Sequence, residues 1–389
     1  MAQRSKSRRR VAVKKKTVHY FDYSLLAIII FLMCFGLIML YSISSYEAQT
    51  QYGDGMYFLK RQGIIGLGSI VVMMWVSRWD YHRFSKYAAA SYWGSMLLLA
   101  LVKFTPLGIE VNGARRWFRL PANQSFQPAE VMKIAVIIFI PYLICRMGNK
   151  VHTLKGSLGV LGWGAVAALG VYVLTENLSS AIIVMGISCC ILFVVHKKQK
   201  IFLWFAGGGL AAFVAGSYLL GRLLENSTNF RLRRIIAWLN PEKYASTISF
   251  QTVQGLYAIG SGGFFGKGLG NGVQKTVIPE VQNDMILSAI CEELGVFGAI
   301  IILVLFGLLI YRLLFIAQNA PDLYGALIMT GIMSHIAIQV VLNVMVVTNM
   351  MPNTGITLPF ISYGGTSILF LMIEMGMALG ISRRIKLED

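Results

Sequence analysis

Ionisable side chains within or beside long apolar segments are the residues of this chain most suited to chemistry. Burying such groups in hydrocarbon is costly unless they are paired or used, so they mark candidate sites. Asp284 ends the segment PEVQND (residues 279–284), where a long polar loop meets an apolar run. A carboxylate there can stabilise a helix start, or it can act as a general base because partial burial raises its proton affinity. The residues alone leave both interpretations open.

Three further acidic residues, at two places in the chain, share this setting. Glu130 and Lys133 are three residues apart and therefore share a helix face. A simple ion pair within the membrane and a pair lining a cavity open to the outer loops carry equal weight. Glu292 and Glu293 lie two turns deeper than Asp284. We expect one of them to be structural and the other to face a cavity.

The remaining polar positions favour structural interpretations. His335, Gln339 and Asn343 recur at i, i+4 and i+8, a stripe typical of hydrogen bonding between helices, and Glu374 is a lone acid. The glycine-rich stretch 260–272 fits neither GxGxxG nor GxxxxGK[ST], so it predicts a flexible or closely packed loop. No catalytic triad or metal-ligand spacing is present, and the five cysteines form no CxxC pair, so no metal site is predicted.

The composition requires a membrane for these residues to sit in. The 389 residues are 56% hydrophobic and 13% charged, with a mean hydropathy of +0.64. An ordinary soluble domain is roughly 25% charged. This composition excludes a disordered chain and a secreted disulfide scaffold, and it argues strongly against a cytosolic enzyme. The sequence therefore predicts a polytopic membrane protein.

Hydropathy predicts an all-α membrane protein with about ten transmembrane helices. A helix needs about 20 apolar residues to cross about 30 Å of hydrocarbon. The expected organisation is a basic cytoplasmic tail (1–22), one membrane domain (23–382) and a cytoplasmic C-terminus (383–389). An even number of spans places both termini on the same side. The predicted spans are about 23–44, 57–77, 86–104, 126–145, 157–174, 179–195, 201–221, 284–316, 323–348 and 364–382.

The distribution of cations supports this orientation and also points to a ligand. The predicted inner segments hold 21 of the 35 Lys and Arg residues and the outer segments 13, in agreement with the positive-inside rule. The outer cations concentrate near 103–119 and in the long outer loop, about 222–283. A solvated face or lipid headgroups would explain them, and so would an anionic substrate such as a pyrophosphate. Within the long loop, residues 230–239 show an amphipathic pattern that predicts an interfacial helix.

Four motifs occur in order along the chain: NGARRW (112–117), QPAEVMK (127–133), PEVQND with EELG (279–295), and PNTGITLPFISYGGTS (352–367). Together they resemble the SEDS family, named for shape, elongation, division and sporulation, which includes the RodA and FtsW polymerases. NGARRW leans toward the division and sporulation branch, and hence toward the FtsW type.

The resemblance implies a peptidoglycan glycosyltransferase that polymerises lipid II on the outer face of a bacterial cytoplasmic membrane. It implies a ten-span fold in which Asp284 is the catalytic acid/base, and we expect the configuration at the donor carbon to be inverted. It also implies the following substrate-binding residues: Arg115, Arg116, Trp117, Glu130, Lys133, Glu293, Ser362, Gly364 and Gly365.

Partners also follow from the resemblance. They are lipid II, a class B penicillin-binding protein and other membrane proteins of the divisome or elongasome, with no nucleic acid. No cofactor is firmly implied, although a divalent cation accompanying the pyrophosphate stays open. The role in division, elongation or sporulation is also left open.

Two positions depart from the family pattern. The family often shows Pro-Asp-Leu-Gly where residues 176–179 read ENLS, so a role for that acid does not carry over. Where the family usually has His-Thr-Asp-Phe, residues 282–285 read QNDM and retain only the aspartate.

Two other classes of function compete with the polymerase. A lipid II flippase or other transporter often shows inverted repeats, and this chain shows none. A non-catalytic scaffold for a penicillin-binding protein would not need the outer acid and arginines.

Overall fold

The computed structural model describes residues 18–111, 114–120, 124–200, 204, 207–209, 211, 215–217, 219 and 230–387. Several predicted features lie outside these residues. They are most of the basic tail, Asn112 and Gly113 of the first motif, much of the predicted span 201–221, the first part of the long outer loop and the last two residues.

The polytopic helical fold is confirmed. Eight of the predicted spans form helices that are long and apolar enough to cross a membrane. They are α1 (Tyr23–Tyr52), α2 (Tyr57–Val76), α3 (His82–Phe104), α4 (Pro128–Met147), α5 (Leu154–Thr175), α6 (Leu178–Val195), α9 (Ile286–Gln318) and α10 (Leu323–Val347). The outer loop adds α7 (Phe230–Leu239) and α8 (Phe250–Gly262), and the last predicted span is the 16-residue α11 (Ser367–Ser382).

Polar caps begin several of these helices. Asp22 Oδ1 accepts a hydrogen bond from Leu25 N at the start of α1, and Asp322 Oδ1 accepts one from Gly325 N at the start of α10, both at 2.8 Å. Such bonds satisfy amides that the helix itself leaves unpaired. Helix α10 contacts α4, α6, α8, α9 and α11, so it occupies the centre of the bundle.

The loop between α3 and α4 adds to this all-α fold a small sheet that the sequence analysis did not predict. Strands β2 (Gly108–Val111), β3 (Ala114–Leu120) and β4 (Gln124–Phe126) form an antiparallel sheet in that order. The charged segment ARRWFRL resembles a solvated loop in isolation. Pairing with its neighbours and contact with α3, α4 and α5 make it a strand. A second, two-stranded sheet pairs β1 (Val18–His19) with β5 (Lys386–Leu387).

Helix α8 turns the long outer loop back along α9. A Cβ atom on Gly262 would lie 2.0 Å from the carbonyl oxygen of Cys291, so only glycine allows this approach. Cys291 is about 8 Å along α9 from its start. The glycine-rich stretch that follows is closely packed, because Gly266 contacts the backbone of Glu293 and Gly295.

Helix α9 is kinked at Gly295, whose φ of +71° favours glycine. The kink frees the amides of Val296 and Phe297 from the helix. These amides donate instead to the carbonyls of Gly263 and Phe264, both at 3.0 Å. The glycine-rich loop therefore supplies the hydrogen bonds that the kink removes.

Helix α7 is amphipathic, as predicted. Ile236 and Ala237 are buried, whereas Arg233 and Arg234 are exposed. The indole Nε1 of Trp238 donates to the carbonyl of Asn349 at 2.9 Å. The apolar side of this helix therefore packs against the protein itself.

The connection between α10 and α11 is irregular yet buried. Ile356, Leu358, Phe360 and Ile361 are all at most 4% exposed. Buried backbone outside a helix needs other hydrogen-bonding partners, and side chains of the surrounding helices provide them, as described below.

Candidate active site around Asp284

Asp284 lies two residues before the start of α9, where the outer loop meets the bundle. Its side chain is half-buried. Asn343 on α10 holds the Asp284 backbone by donating Nδ2 to its carbonyl at 2.9 Å. A Cβ atom on Gly355, whose φ is +69°, would lie 3.9 Å from Asp284 Oδ2. The carboxylate therefore faces the PNTGIT part of the last motif.

The electrostatic setting of Asp284 suits a base. Burial raises the pKa of its carboxyl to about 6, and the nearby Glu280 carboxylate adds to this rise. Backbone hydrogen bonds and the Arg234 guanidinium act in the opposite direction. Within the described residues no Lys or Arg nitrogen forms an ion pair with Asp284. The carboxylate thus keeps lone pairs available and is ionised near neutral pH.

A polar cleft of about 130 Å³ lies beside this segment, between α7, α8 and residues 349–353. Arg234 Nη1 donates to the carbonyl of Asn353 at 3.2 Å, and Asn353 Nδ2 donates to Gln251 Oε1 at 3.2 Å. Gln251 Nε2 in turn donates to the carbonyl of Pro279 at 3.0 Å. Sequence reasoning missed this chain of bonds. Asn353 stands in a recognised motif, but nothing in the sequence connects it with Gln251.

Glu130 and Lys133 form the ion pair that their spacing predicted. Lys133 Nζ lies 2.7 Å from Glu130 Oε1, and the side chains are 2% and 10% exposed. The pair lies in the first turns of α4, directly after β4. Contact with substrate stays a prediction for both residues.

Arg116 uses its guanidinium at the C-terminal end of α5. Its Nε donates to the Thr175 carbonyl at 3.2 Å and its Nη2 to the Glu176 carbonyl at 3.1 Å. These carbonyls are unpaired within the helix, so Arg116 acts as a cap. This geometry favours a structural role over phosphate binding.

The neighbours of Arg116 are placed differently. Arg115 is exposed and pairs with Glu110 at 3.4 Å, while Trp117 lies opposite Ile109 in the sheet. Arg115 is therefore accessible to a ligand.

Glu292 and Glu293, by contrast, are enclosed. Glu293 Oε1 lies 2.8 Å from Lys275 Nζ, and its Oε2 accepts a 2.5 Å hydrogen bond from Ser42 Oγ. Glu292 pairs with Lys267 at 2.7 Å and accepts the amides of Val273 and Gln274. Both acids are at most 1% exposed and hold the glycine-rich loop through these contacts, which favours a structural role for both. For Glu293 this arrangement argues against the expected contact with substrate.

The last motif residues lie directly before α11, at its N-terminal end. Ser362 Oγ accepts a hydrogen bond from Leu358 N at 2.8 Å inside a tight turn. Gly365 has a φ of +47° and lies near Gln124 of β4. Thr366 Oγ1 donates to the Ser125 carbonyl at 2.7 Å, which fixes Gly364 and Gly365 beside the sheet.

The structure therefore brings Asp284 together with the last motif but not with every predicted site residue. No hydrogen bond or ion pair among the described residues joins Asp284 to Glu130, Lys133 or Glu293. The same part of the chain contains no group of three His, Cys, Asp or Glu residues that could hold a metal ion.

Comparison with known proteins agrees with the motifs. The chain is 38% identical over 370 residues to the probable peptidoglycan glycosyltransferase FtsW of Trichlorobacter lovleyi, covering 94% of each chain. It is 36% identical over 364 residues to the stage V sporulation protein E of Bacillus subtilis, covering 93% of this chain and 97% of that protein.

Solved structures share the fold. A chain of a peptidoglycan synthase complex that coordinates polymerization and crosslinking matches with a TM-score of 0.75 at 25% identity, covering 93% of this chain and 98% of the other. The rod shape determining protein RodA of Thermus thermophilus matches with a TM-score of 0.65 at 25% identity, covering 93% and 97%. The sequence pattern of the FtsW/RodA/SpoVE family, described as cell cycle protein, matches residues 23–387. The chain belongs to this family.

Proposed function

We propose that this protein is a peptidoglycan glycosyltransferase that polymerises lipid II into glycan strands. The observation that carries the proposal is Asp284, a carboxylate that forms no ion pair with a described residue and is held at the loop–bundle boundary. The names of its relatives, which include probable peptidoglycan glycosyltransferases, support the same reaction.

In the proposed step, Asp284 removes the proton from a sugar hydroxyl of the acceptor. The hydroxyl oxygen then forms a bond to the donor sugar carbon while the bond from that carbon to the lipid pyrophosphate breaks. The electron pair leaves with the pyrophosphate, and attack from the opposite face inverts the configuration. A pKa near 6 leaves Asp284 ionised at neutral pH but still basic enough to accept the proton.

The departing pyrophosphate needs positive charge near Asp284. Arg234 lies close enough to lower the pKa of Asp284, so it can stabilise negative charge that develops in the same site. We assign supporting contacts with substrate to Arg115, Trp117, Lys133 and the Gly364–Gly365 turn. Arg116, Glu130, Glu293 and Ser362 hold other parts of the structure and are assigned positioning roles.

The proposed setting is the outer face of a bacterial cytoplasmic membrane. The cations that concentrate near 103–119 and in the long outer loop would suit a pyrophosphate, and together with the boundary position of Asp284 they support this face. The similar chain in a peptidoglycan synthase complex supports a crosslinking partner, which we propose is a class B penicillin-binding protein. Similarity to FtsW proteins and to a sporulation protein favours a role in division or sporulation.

Purified protein given labelled lipid II tests the proposal. Glycan chains on a gel support a polymerase. Transfer between the leaflets of a vesicle without chains would instead identify a flippase. If neither occurs, even with the crosslinking partner added, the protein is a scaffold.

A further inference from the structure

The polar stripe on α10 is buried at the centre of the bundle. His335, Gln339 and Asn343 are 1%, 5% and 0% exposed. The stripe was expected to link helices, but two of its side chains donate to backbone outside any helix. Gln339 Nε2 donates to the Thr357 carbonyl at 3.0 Å, and Asn343 Nδ2 donates to Ile356 at 2.7 Å as well as to Asp284.

Asn343 is distinguished by what its two bonds join. One amide group contacts the carbonyls of Asp284 and Ile356, which belong to segments about 70 residues apart in sequence. Those segments carry the candidate base and the Gly355 turn that faces it. Without Asn343, both carbonyls would lose this hydrogen-bond donor, which would loosen both segments.

We propose that Asn343 is a positioning residue that sets the orientation of Asp284 toward the Gly355 segment. This inference rests on the proposed function of Asp284 as base. The hydrogen bond from Asn343 goes to the backbone carbonyl of Asp284 and not to its carboxyl group. It fixes the backbone on both sides of the site, and displacement of a reacting group by about 1 Å can cost about 100-fold in rate.

Gln339 provides a matched comparison on the same face of α10. It holds Thr357 but makes no bond to Asp284. Below it, His335 Nδ1 lies 2.8 Å from Glu374 on α11, so the lower part of the stripe fastens helix to helix. Loss of Gln339 should therefore loosen one segment, and loss of Asn343 should loosen two.

The test compares Asn343→Leu and Asn343→Asp with Gln339→Met in the full-length protein. Amide hydrogen exchange reads the positioning directly. We expect Asn343→Leu to speed exchange both near residues 284–288 and near 354–358, and Gln339→Met to speed it only near 354–358. Asn343→Asp keeps the shape of the side chain and, when protonated, one donor, so we expect a smaller effect in the same two regions. It replaces Asn343→Leu in the comparison if the leucine variant does not fold.

Lipid II polymerisation supplies the second readout. We expect Asn343→Leu to lower kcat about 10- to 100-fold with KM within about twofold of the wild type, since orientation rather than affinity is lost. The acidic limb of the rate should also move to lower pH, because a loosened Asp284 gains water while Glu280 and Arg234 remain beside it. A role in stability alone would lower the apparent kcat but would leave the acidic limb where it is in the wild type.

Two results would overturn the inference. One is unchanged exchange near 284–288 in a folded Asn343 variant. The other is equal loss of kcat in the Asn343 and Gln339 variants, in proportion to their melting temperatures. If the wild type makes no glycan, the proposed function fails, while the exchange data still decide whether Asn343 holds the segment.

Discussion

Asp284 and Glu293 are nine positions apart in sequence, at the beginning of the same helix, yet their surroundings differ completely. Glu293 is 1% exposed, and its two oxygens are taken by Lys275 and Ser42. Asp284 is half-buried, forms no ion pair with a described residue, and has a pKa raised to about 6. Glu293 is enclosed by partners that balance its charge, whereas burial raises the proton affinity of Asp284.

The difference shows that burial alone does not make an acid reactive. A buried carboxylate that pairs with a cation has a structural role, because each charge is compensated by the other. A carboxylate that loses water without gaining a cation is destabilised as an anion and gains basicity. Asp284 and Glu293 therefore differ in chemistry because of their partners and not because of how deeply they are buried.

The largest expected effect comes from Asp284→Asn. The amide keeps the size of the side chain but cannot accept the proton, so polymerisation should fall about 100- to 10,000-fold. The melting temperature at neutral pH should not fall. The folded-state pKa lies above the unfolded value, so the ionised carboxyl disfavours folding at pH values above it, and Asn removes that cost.

Glu280→Gln is the matched control for that substitution. Glu280 is an exposed neighbour on the same loop, and its loss should leave the rate within a few-fold of wild type. Near-normal glycan synthesis by Asp284→Asn would remove Asp284 from the role of base.

Glu293→Gln removes the ion pair between Glu293 and Lys275. It leaves Lys275, whose side chain is 9% exposed, without its counter-charge, and we expect a loss of stability of about 3–5 kcal/mol. The double variant Glu293→Gln/Lys275→Met should recover much of that loss. Thermal melting measures the stability of the single and the double variant. The activity of the double variant should stay close to that of the wild type. A well-folded but inactive double variant would restore Glu293 as a substrate contact.

The ion pair of Glu130 and Lys133 on α4 could be structural, like Glu293 and Lys275, or functional, like Asp284, and substitutions distinguish the two. Glu130→Gln and Lys133→Met should each destabilise the protein, because each leaves a partner uncompensated in a low-dielectric site. We expect the double variant to fold well yet stay inactive, because it lacks the contact with the substrate phosphates that we propose for Lys133. Melting and glycan synthesis on all three variants test this. Recovered activity in the double variant would make the pair purely structural.

The smallest expected effect is a dependence on pH. Below about pH 6, kcat/KM should fall about tenfold per pH unit as Asp284 becomes protonated. Glu280→Gln should move this limb to lower pH, because the Glu280 carboxylate raises the pKa of Asp284. A profile that stays flat down to pH 4.5 would show that no carboxyl of this kind limits the reaction.

Hydropathy predicted the helices well, because a helix that crosses hydrocarbon must be long and apolar whatever it packs against. The three-stranded sheet was not predicted, since ARRWFRL becomes a strand only through pairing with segments on either side. Nor did hydropathy reveal that α8 returns along α9, because a 13-residue helix is shorter than any span.

Some features of the candidate site could likewise be predicted from the sequence and others could not. Asp284 and the Glu130–Lys133 pair could be found from type and spacing, since charged groups in apolar surroundings are rare. The functions of Arg116 and Glu293 could not, because they depend on partners 59 and 251 residues away, the Thr175 carbonyl and Ser42. Spacing along one helix predicts which residues share a face but not what that face meets.

The pairing of β1 with β5 places a parity condition on the whole chain. Two strands of one sheet lie on one side of any membrane that the chain crosses, so the crossings between His19 and Lys386 must be even in number. Among the described residues, the eight long helices with α11 make an odd number, whereas the ten spans expected from hydropathy satisfy the condition. Reporter proteins fused before β1 and after β5 therefore face the same compartment, and a variant that lost one crossing would have to separate the two strands.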